Sequence, residues 1–93
     1  VNTGKEENKS GIYLEHLDEF INYCRNDLAF NIVGLMCIPP INDQPKNHFS
    51  ILEKRAKKYN LSHLSMGMSA DYIEAIKYNA TYIRIGTSLF GKR

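Results

Sequence analysis

The stretch that decides the fold is Phe30-Asn31-Ile32-Val33-Gly34-Leu35-Met36-Cys37-Ile38, which is followed at once by Pro39-Pro40. It is nearly continuously apolar and partly β-branched, which is typical of a strand buried on both faces, as in a parallel sheet. Because proline cannot donate to a strand ladder, the two prolines predict that the strand ends there. The flanking sequence should therefore supply the helices that cover a parallel sheet.

Apolar residues recur at helical spacing on both sides of this strand. Residues 1–11 are polar and read as a loop, and the next segment predicts an amphipathic helix with Ser10 as its cap. Downstream, a second helix is predicted to start between Asp43 and Pro45, since proline favours the first helical turn. The apolar positions are Leu14, Leu17, Ile21 and Cys24, joined by Ile12 and Phe20, in the first helix, and Phe49, Leu52, Ala56 and Tyr59 in the second.

The rest of the chain repeats the alternation of strand and helix. Residues 61–65 and 81–85 are strand candidates, and Ser69 is placed to cap a helix between them. The apolar positions of that helix are Tyr72, Ile73, Ile76 and Ala80. Strict alternation predicts the α/β class, with a parallel sheet built from right-handed βαβ units. About three such units cannot close an eight-stranded barrel, so we expect two unpaired sheet edges and uncovered apolar faces.

The composition indicates one small globular domain. The chain has 93 residues, of which 43% are hydrophobic and 24% charged, and its formal charge is +2. No apolar run is long enough for a membrane-spanning helix, and no secretory signal is visible. The chain begins at Val1 without a methionine and stops shortly after an apolar run, so we expect it to be a piece of a longer protein.

Little in the sequence points to a disulfide, a metal or a nucleic acid. Cys24 and Cys37 lie within apolar patterns and are predicted to be reduced core thiols. The histidines at positions 16, 48 and 63 lack metal-ligand spacing. A basic cluster late in the second helix has no interleaved aromatic platform, which favours a solvated face over a nucleic-acid site. Its members are Lys54, Arg55, Lys57 and Lys58.

Two loops at the predicted carboxyl ends of strands suit a phosphate group. Residues 66–69, Met-Gly-Met-Ser, combine a close turn with a hydroxyl beside helix-start amides. Residues 84–87, Arg-Ile-Gly-Thr, combine a guanidinium with backbone amides and a second hydroxyl. Each loop has a plain structural alternative, because Ser69 could be an ordinary N-cap and Arg84 could pair with a carboxylate or reach the surface. The two loops would lie side by side at one rim of the sheet. Ligands of parallel α/β proteins bind at such strand ends, so the two loops together favour a phosphate site.

The sequence resembles the pyridoxal phosphate homeostasis proteins along essentially its whole length. The resemblance is carried by residues 64–71, Leu-Ser-Met-Gly-Met-Ser-Ala-Asp, and by residues 84–91, Arg-Ile-Gly-Thr-Ser-Leu-Phe-Gly. Residues 1–12 and 34–39 are similar to further segments of that family. The resemblance implies a (β/α)₈ TIM barrel of the alanine racemase N-terminal-domain type. Residues 1–93 would be the C-terminal portion of that single domain.

The resemblance also implies a cofactor, pyridoxal 5′-phosphate (PLP), and the residues that bind it. Ser69, Gly86 and Thr87 would hold the phosphate, and Arg84 would face the cofactor near its pyridine ring. The implied binding residues are Met36, Met68, Ser69, Arg84, Gly86 and Thr87, with Asn2 as a further lining residue. The family's Schiff-base lysine lies near the end of the first barrel strand, which this chain does not contain.

The function implied in this way is that of a non-catalytic PLP carrier or reservoir in the cytoplasm. Its partners would be PLP and the remainder of the barrel, or another chain, covering the open sheet edges. Two alternatives stay open. One is a PLP-dependent amino-acid racemase of the alanine racemase type, whose barrel continues into a second domain. The other is a barrel that binds a different phosphorylated metabolite. The Ser-Met-Gly-Met-Ser motif favours the carrier family.

Overall fold

The computed structural model describes residues 1–91, which form one parallel sheet with helices between the strands. After the N-terminal loop, the elements are α1 (Leu14–Asn22), a π-helical turn (Tyr23–Asp27), β1 (Gly34–Met36), α2 (Pro45–Lys58), β2 (His63–Met68), α3 (Tyr72–Lys77), β3 (Tyr82–Arg84) and α4 (Thr87–Phe90). Both strand pairings are parallel, and the order is β1-β2-β3. The predicted α/β class and the alternation of elements are confirmed.

The strand register sorts the sheet residues into two faces. Leu35 lies opposite Leu64, while Met36 lies opposite Ser65, which in turn pairs with Tyr82. Because side chains alternate along a strand, these two sets point to opposite faces. The helices cover the face of Leu35 and Leu64, which are both buried. On the other face Met36 and Tyr82 are 40% and 58% exposed.

Helix α2 supplies the centre of the core. It begins at Pro45, as predicted, and the side chains of Phe49 and Leu52 are 0% exposed. All four apolar positions predicted for the second helix are buried. In the first helix Leu17, Ile21 and Cys24 are buried, Ile12 and Leu14 are partly buried, and Phe20 is 46% exposed, which corrects its predicted burial. The two cysteines are buried free thiols, as predicted. The helical spacing therefore identified the core-facing stripes of α1 and α2 correctly.

A charged cluster joins α1 to the C-terminal end of α2. Asp18 accepts hydrogen bonds from the Tyr59 hydroxyl and from Lys58 Nζ, the latter at 2.9 Å, and Arg55 Nη1 lies 3.8 Å away. The bonds from Tyr59 and Lys58 lower the pKa of the Asp18 carboxyl. Part of the basic cluster therefore fixes one helix on another instead of only facing solvent.

The first strand is buried on one face only, which corrects the expectation from its apolar pattern and confirms the expectation that apolar faces are left uncovered. Residues 30–33 precede the ladder, and only Gly34–Met36 pair as a strand. Cys37 is buried on the helix side, while Ile38 is 41% exposed. The apolar residues on the open face have no covering layer among residues 1–91. The continuous apolar pattern is therefore satisfied on one face only in this part of the fold.

The predicted helix caps and the predicted face of α3 also need correction. Tyr13, not Ser10, is the N-cap of α1, and Asp71, not Ser69, is the N-cap of α3. In α3 the buried residue is Ala75, whereas Ile73 and Ile76 are more than half exposed. The other two predicted positions, Tyr72 and Ala80, are partly buried, so the predicted stripe is only partly used by this six-residue helix.

None of the helices within residues 1–91 is both long enough and apolar enough to cross a lipid bilayer.

We expect Leu52→Ala to lower the free energy of unfolding by about 2–5 kcal/mol, because it leaves a cavity at the centre of the core. Urea unfolding followed by circular dichroism measures this loss. The control is Lys54→Ala on the exposed side of the same helix, which should change stability by no more than about 0.5 kcal/mol. Equal losses in both variants would contradict the placement of Leu52.

Candidate functional site

A large cavity lies at the carboxyl ends of the three strands. Its volume is about 1580 Å³, and it is lined by the segments that follow β1, β2 and β3. Five of the six predicted binding residues lie together in its wall: Met68, Ser69, Arg84, Gly86 and Thr87. The expectation that the two phosphate-like loops are neighbours at one rim of the sheet is therefore confirmed.

Met36 and Asn2 are placed differently from these five. Met36 lies on the open face of the sheet, but the cavity wall is formed by Ile38 and Pro39, which follow it. The buried side chain of Asn2 folds the N-terminal loop: its Nδ2 donates to the Glu6 carbonyl oxygen at 2.8 Å, and its Oδ1 accepts from the Glu6 amide at 3.0 Å. Asn2 therefore shapes the loop beside the cavity.

The loop between β2 and α3 is closed by Asp71. Its Oδ1 accepts a hydrogen bond from the Met68 amide at 2.8 Å, and the Asp71 amide donates to the Met68 carbonyl oxygen at 3.0 Å. The Met68 amide is thus already engaged, and the Asp71 carboxylate is turned back onto the loop. The side chain of Ser69, in the same loop, lines the cavity.

Gly67 explains why this loop can turn tightly against α3. Its φ is +105°, a conformation that side chains disfavour, and an added Cβ would lie 2.8 Å from the Cβ of Ala75. Gly86 in the next loop has φ −112°, and an added Cβ would meet nothing within 4 Å. The two glycines of the site therefore differ: the first is required by packing, and the second leaves open space beside the cavity.

The loop between β3 and α4 presents a helix start to the cavity. Gly86 is the N-cap of α4 and Thr87 is its first residue, and both line the cavity. The Gly86 carbonyl oxygen accepts from the amides of Leu89 and Phe90. The first amides of a helix have no acceptor within the helix, so they suit an anion, as the Thr87 hydroxyl does.

Arg84 reaches from β3 across the end of β2 to the end of β1. Its Nη2 donates to the Cys37 carbonyl oxygen at 3.2 Å. Its Nε is buried and has no hydrogen-bond partner among residues 1–91. A buried donor without an acceptor costs about 1–3 kcal/mol. The side chain is therefore held in place at one nitrogen, while a second nitrogen remains available for an acceptor that a ligand brings.

Several cavity residues were not anticipated from the sequence. Lys9 lines the cavity from the N-terminal loop, where its Nζ lies 3.1 Å from Glu6 Oε1, and Pro40 and Ile41 extend the wall after β1. The two prolines signalled only the end of a strand, and Lys9 lies in a polar loop without a recognisable pattern. Within residues 1–91, no three histidine, cysteine or acidic side chains converge as a metal site would require.

The whole chain, residues 1–93, matches the family model described as "Alanine racemase, N-terminal domain". The chain belongs to this family. Curated relatives named pyridoxal phosphate homeostasis protein are 42% identical to it in Aquifex aeolicus, 37% in Schizosaccharomyces pombe and 33% in Escherichia coli. These matches cover 100% of the chain and 45%, 43% and 43% of the respective relatives, so the chain spans about half of their length.

Solved structures of PipY from Synechococcus elongatus are similar to the chain in fold. The structure without PLP has a TM-score of 0.77 at 28% identity, and the structure with PLP bound has a TM-score of 0.72 at 29% identity. Each comparison covers 98% of this chain, with 48% and 47% of the PipY chains. The predicted fold class, part of a (β/α)₈ barrel of the alanine racemase N-terminal-domain type, is confirmed.

We predict that Gly67→Ala lowers the free energy of unfolding by about 1–3 kcal/mol, because the methyl group meets Ala75 and the backbone conformation is strained. Thermal unfolding measures the effect. Gly86→Ala is the matched control and should lie within about 0.5 kcal/mol of the unmodified protein, since its added methyl group meets no atom. The reverse order of the two variants would contradict the structure of these loops.

Proposed function

We propose that the protein to which this chain belongs binds PLP and serves in PLP homeostasis as a carrier or reservoir. The relatives named pyridoxal phosphate homeostasis protein and the PLP-bound structure of PipY support this function. The observation within the chain that carries it is the Arg84 guanidinium. Its buried Nε has no acceptor in the part of the chain that the structure describes, and it lies beside a cavity that is also lined by two hydroxyl-bearing loops. An anionic ligand whose ring carries a hydrogen-bond acceptor would bind both the Arg84 Nε and the two hydroxyl-bearing loops.

The residues divide between the two ends of such a ligand. Ser69, Thr87 and the backbone at Gly86 would hold the phosphate, because hydroxyls and helix-start amides are donors suited to an anion. Arg84 would lie beside the pyridine ring, and Met36 and Met68 would contribute apolar surface. A guanidinium also favours a negatively charged ligand in this half-buried position, even when the ligand accepts only one hydrogen bond from it.

The presence of an arginine at position 84 supports storage of PLP more than chemistry on amino acids. When bound to an enzyme, PLP withdraws electrons from a substrate most strongly if its ring nitrogen is protonated. Arginine keeps its proton at physiological pH, so Arg84 can donate a hydrogen bond to the ring nitrogen but does not readily protonate it. We therefore propose a non-catalytic role, with the amino-acid racemase as the function that this argument disfavours.

We further propose that residues 1–93 are the C-terminal portion of a single barrel domain and that the covalently binding lysine lies elsewhere in that domain. The open face of the sheet supports this, because Met36 and Tyr82 are exposed where a barrel interior would enclose them. The remaining strands of the barrel would cover this face and the edges of β1 and β3. We place the full-length protein in the cytoplasm.

The first test is a PLP titration of the full-length protein, followed by the absorbance of the cofactor. Arg84→Ala removes a charge-assisted donor and should weaken binding by about 1.5–3 kcal/mol, which is about 10- to 150-fold in Kd. Ser69→Ala should weaken it by about 0.5–1.5 kcal/mol. Lys57→Ala, which removes an exposed charge from α2, is the control and should bind normally. Unchanged affinity in both site variants, with unchanged far-UV spectra, would refute the phosphate assignment.

A second test locates the covalent link. We expect borohydride reduction of the full-length protein with one equivalent of PLP, followed by peptide mapping, to yield no modified lysine within residues 1–93. The physical reason is that every lysine within residues 1–91 lies in a loop or a helix, and none of these directly follows a buried strand. Lys9 provides the sharpest check, because it lines the cavity. A stable adduct on Lys9 would contradict this division of the site.

A further inference from the structure

A buried histidine connects three segments beneath the cavity. His48, in the first turns of α2, is 4% exposed, and both of its ring nitrogens are hydrogen-bonded. Nδ1 lies 2.9 Å from the Thr3 hydroxyl, and Nε2 lies 2.8 Å from Oδ2 of Asp43. Thr3 belongs to the N-terminal loop, and Asp43 belongs to the connection between β1 and α2. None of these bonds takes part in the site described above.

Two hydrogen bonds of this cluster have a defined direction. The bond from His48 lowers the pKa of the Asp43 carboxyl, so the carboxylate is the acceptor and Nε2–H is the donor. Burial raises the pKa of the Cys37 thiol to about 11, and its hydrogen bond with Thr3 opposes the rise. A hydrogen bond that lowers the pKa of a thiol is donated to its sulfur, so the Thr3 hydroxyl is the donor and Cys37 Sγ is the acceptor.

The cluster ends at the residue that holds Arg84. Cys37 contacts Thr3 through its side chain, and its carbonyl oxygen accepts the hydrogen bond from Arg84 Nη2. The N-terminal loop and the connection between β1 and α2 also form part of the cavity wall. The N-terminal loop contributes Lys9 to the wall. The connection contributes Pro40, whose carbonyl oxygen accepts a hydrogen bond from the Asp43 amide at 3.3 Å. A change at His48 would thus move the acceptor of Arg84 relative to the rest of the wall.

We propose that His48 is a positioning residue of the cofactor site, which it orders through Thr3, Cys37 and Arg84. An apolar side chain could fill the same buried space at a lower desolvation cost, so packing alone does not call for an imidazole here. What the ring adds is a pair of hydrogen bonds that tie both the N-terminal loop and the connection after β1 to α2. The proposal rests on the proposed function, since the position that it controls is that of Arg84.

The test is a double-mutant cycle on PLP affinity in the full-length protein, combining Thr3→Val with Arg84→Ala. Thr3→Val removes the hydroxyl and keeps the shape, and we expect it to weaken PLP binding about 5- to 10-fold, since one hydrogen bond is lost from the cluster. Thr3→Ser restores the hydroxyl and should return affinity to within about twofold. In the Arg84→Ala background, Thr3→Val should have little further effect on affinity, because its influence passes through Arg84.

The variants His48→Asn and His48→Gln test the hydrogen bonds of His48 with Thr3 and with Asp43 one at a time. An asparagine amide takes the place of Nδ1 and can keep the contact with Thr3, whereas a glutamine amide takes the place of Nε2 and can keep the contact with Asp43. We expect His48→Asn to bind PLP more tightly than His48→Gln. The control is Leu52→Ala in the same helix, which lowers stability but should leave the affinity of the folded protein unchanged.

These experiments distinguish a failure of the proposed PLP function from a failure of the proposed positioning role of His48. If the unmodified protein does not bind PLP, the proposed function fails. If it binds PLP but Thr3→Val binds equally well, or the two substitutions add fully in the cycle, the positioning role of the His48 cluster is wrong. A loss of affinity with Thr3→Val that is rescued by serine and absent in the Arg84→Ala background supports the proposal.

Discussion

The hydrogen bond from Arg84 to the Cys37 carbonyl oxygen is the interaction on which the candidate site depends. It joins the third strand to the end of the first and crosses the end of the second, so one side chain spans the rim of the sheet. The bond fixes the guanidinium and leaves its buried Nε without an acceptor within residues 1–91. The loops of Ser69 and Thr87 surround this donor only because the parallel sheet brings the ends of all three strands to the same edge.

The fold explains why one face of the sheet is covered by helices and the other face is open. Helix α2 buries Phe49 and Leu52 against one face of the sheet, and Asp18 joins α1 to the end of α2. The opposite face carries Met36 and Tyr82, which are exposed. In the barrel family to which the chain belongs, the inward faces of the strands pack against one another. The asymmetry seen here is that of a segment of a barrel, and the chain spans about half of its curated relatives.

Much of this could be predicted from the sequence, because the relevant signals are local. The intervals in Phe49, Leu52, Ala56 and Tyr59 predicted the core face of α2, and the paired motifs around Ser69 and Arg84 predicted two neighbouring loops. The open face of the sheet was predicted by the number of βα units and not by the local pattern. A continuous apolar strand indicates two buried faces, but the second covering layer is not found among residues 1–91. Ile73 and Ile76 are more than half exposed in this part of the fold, although their spacing predicted burial.

Hydrogen bonds between residues far apart in the sequence could not be predicted from local sequence patterns. His48 gave no metal-ligand spacing, and nothing in the sequence joins it to Thr3, which lies 45 residues earlier. The most direct test of the central claim is a crystal structure of the full-length protein with PLP. The account predicts that Arg84 Nε donates to the pyridine nitrogen and that Ser69 and Thr87 contact the phosphate. PLP bound away from this cavity, or an Arg84 Nε that still lacks an acceptor, would contradict it.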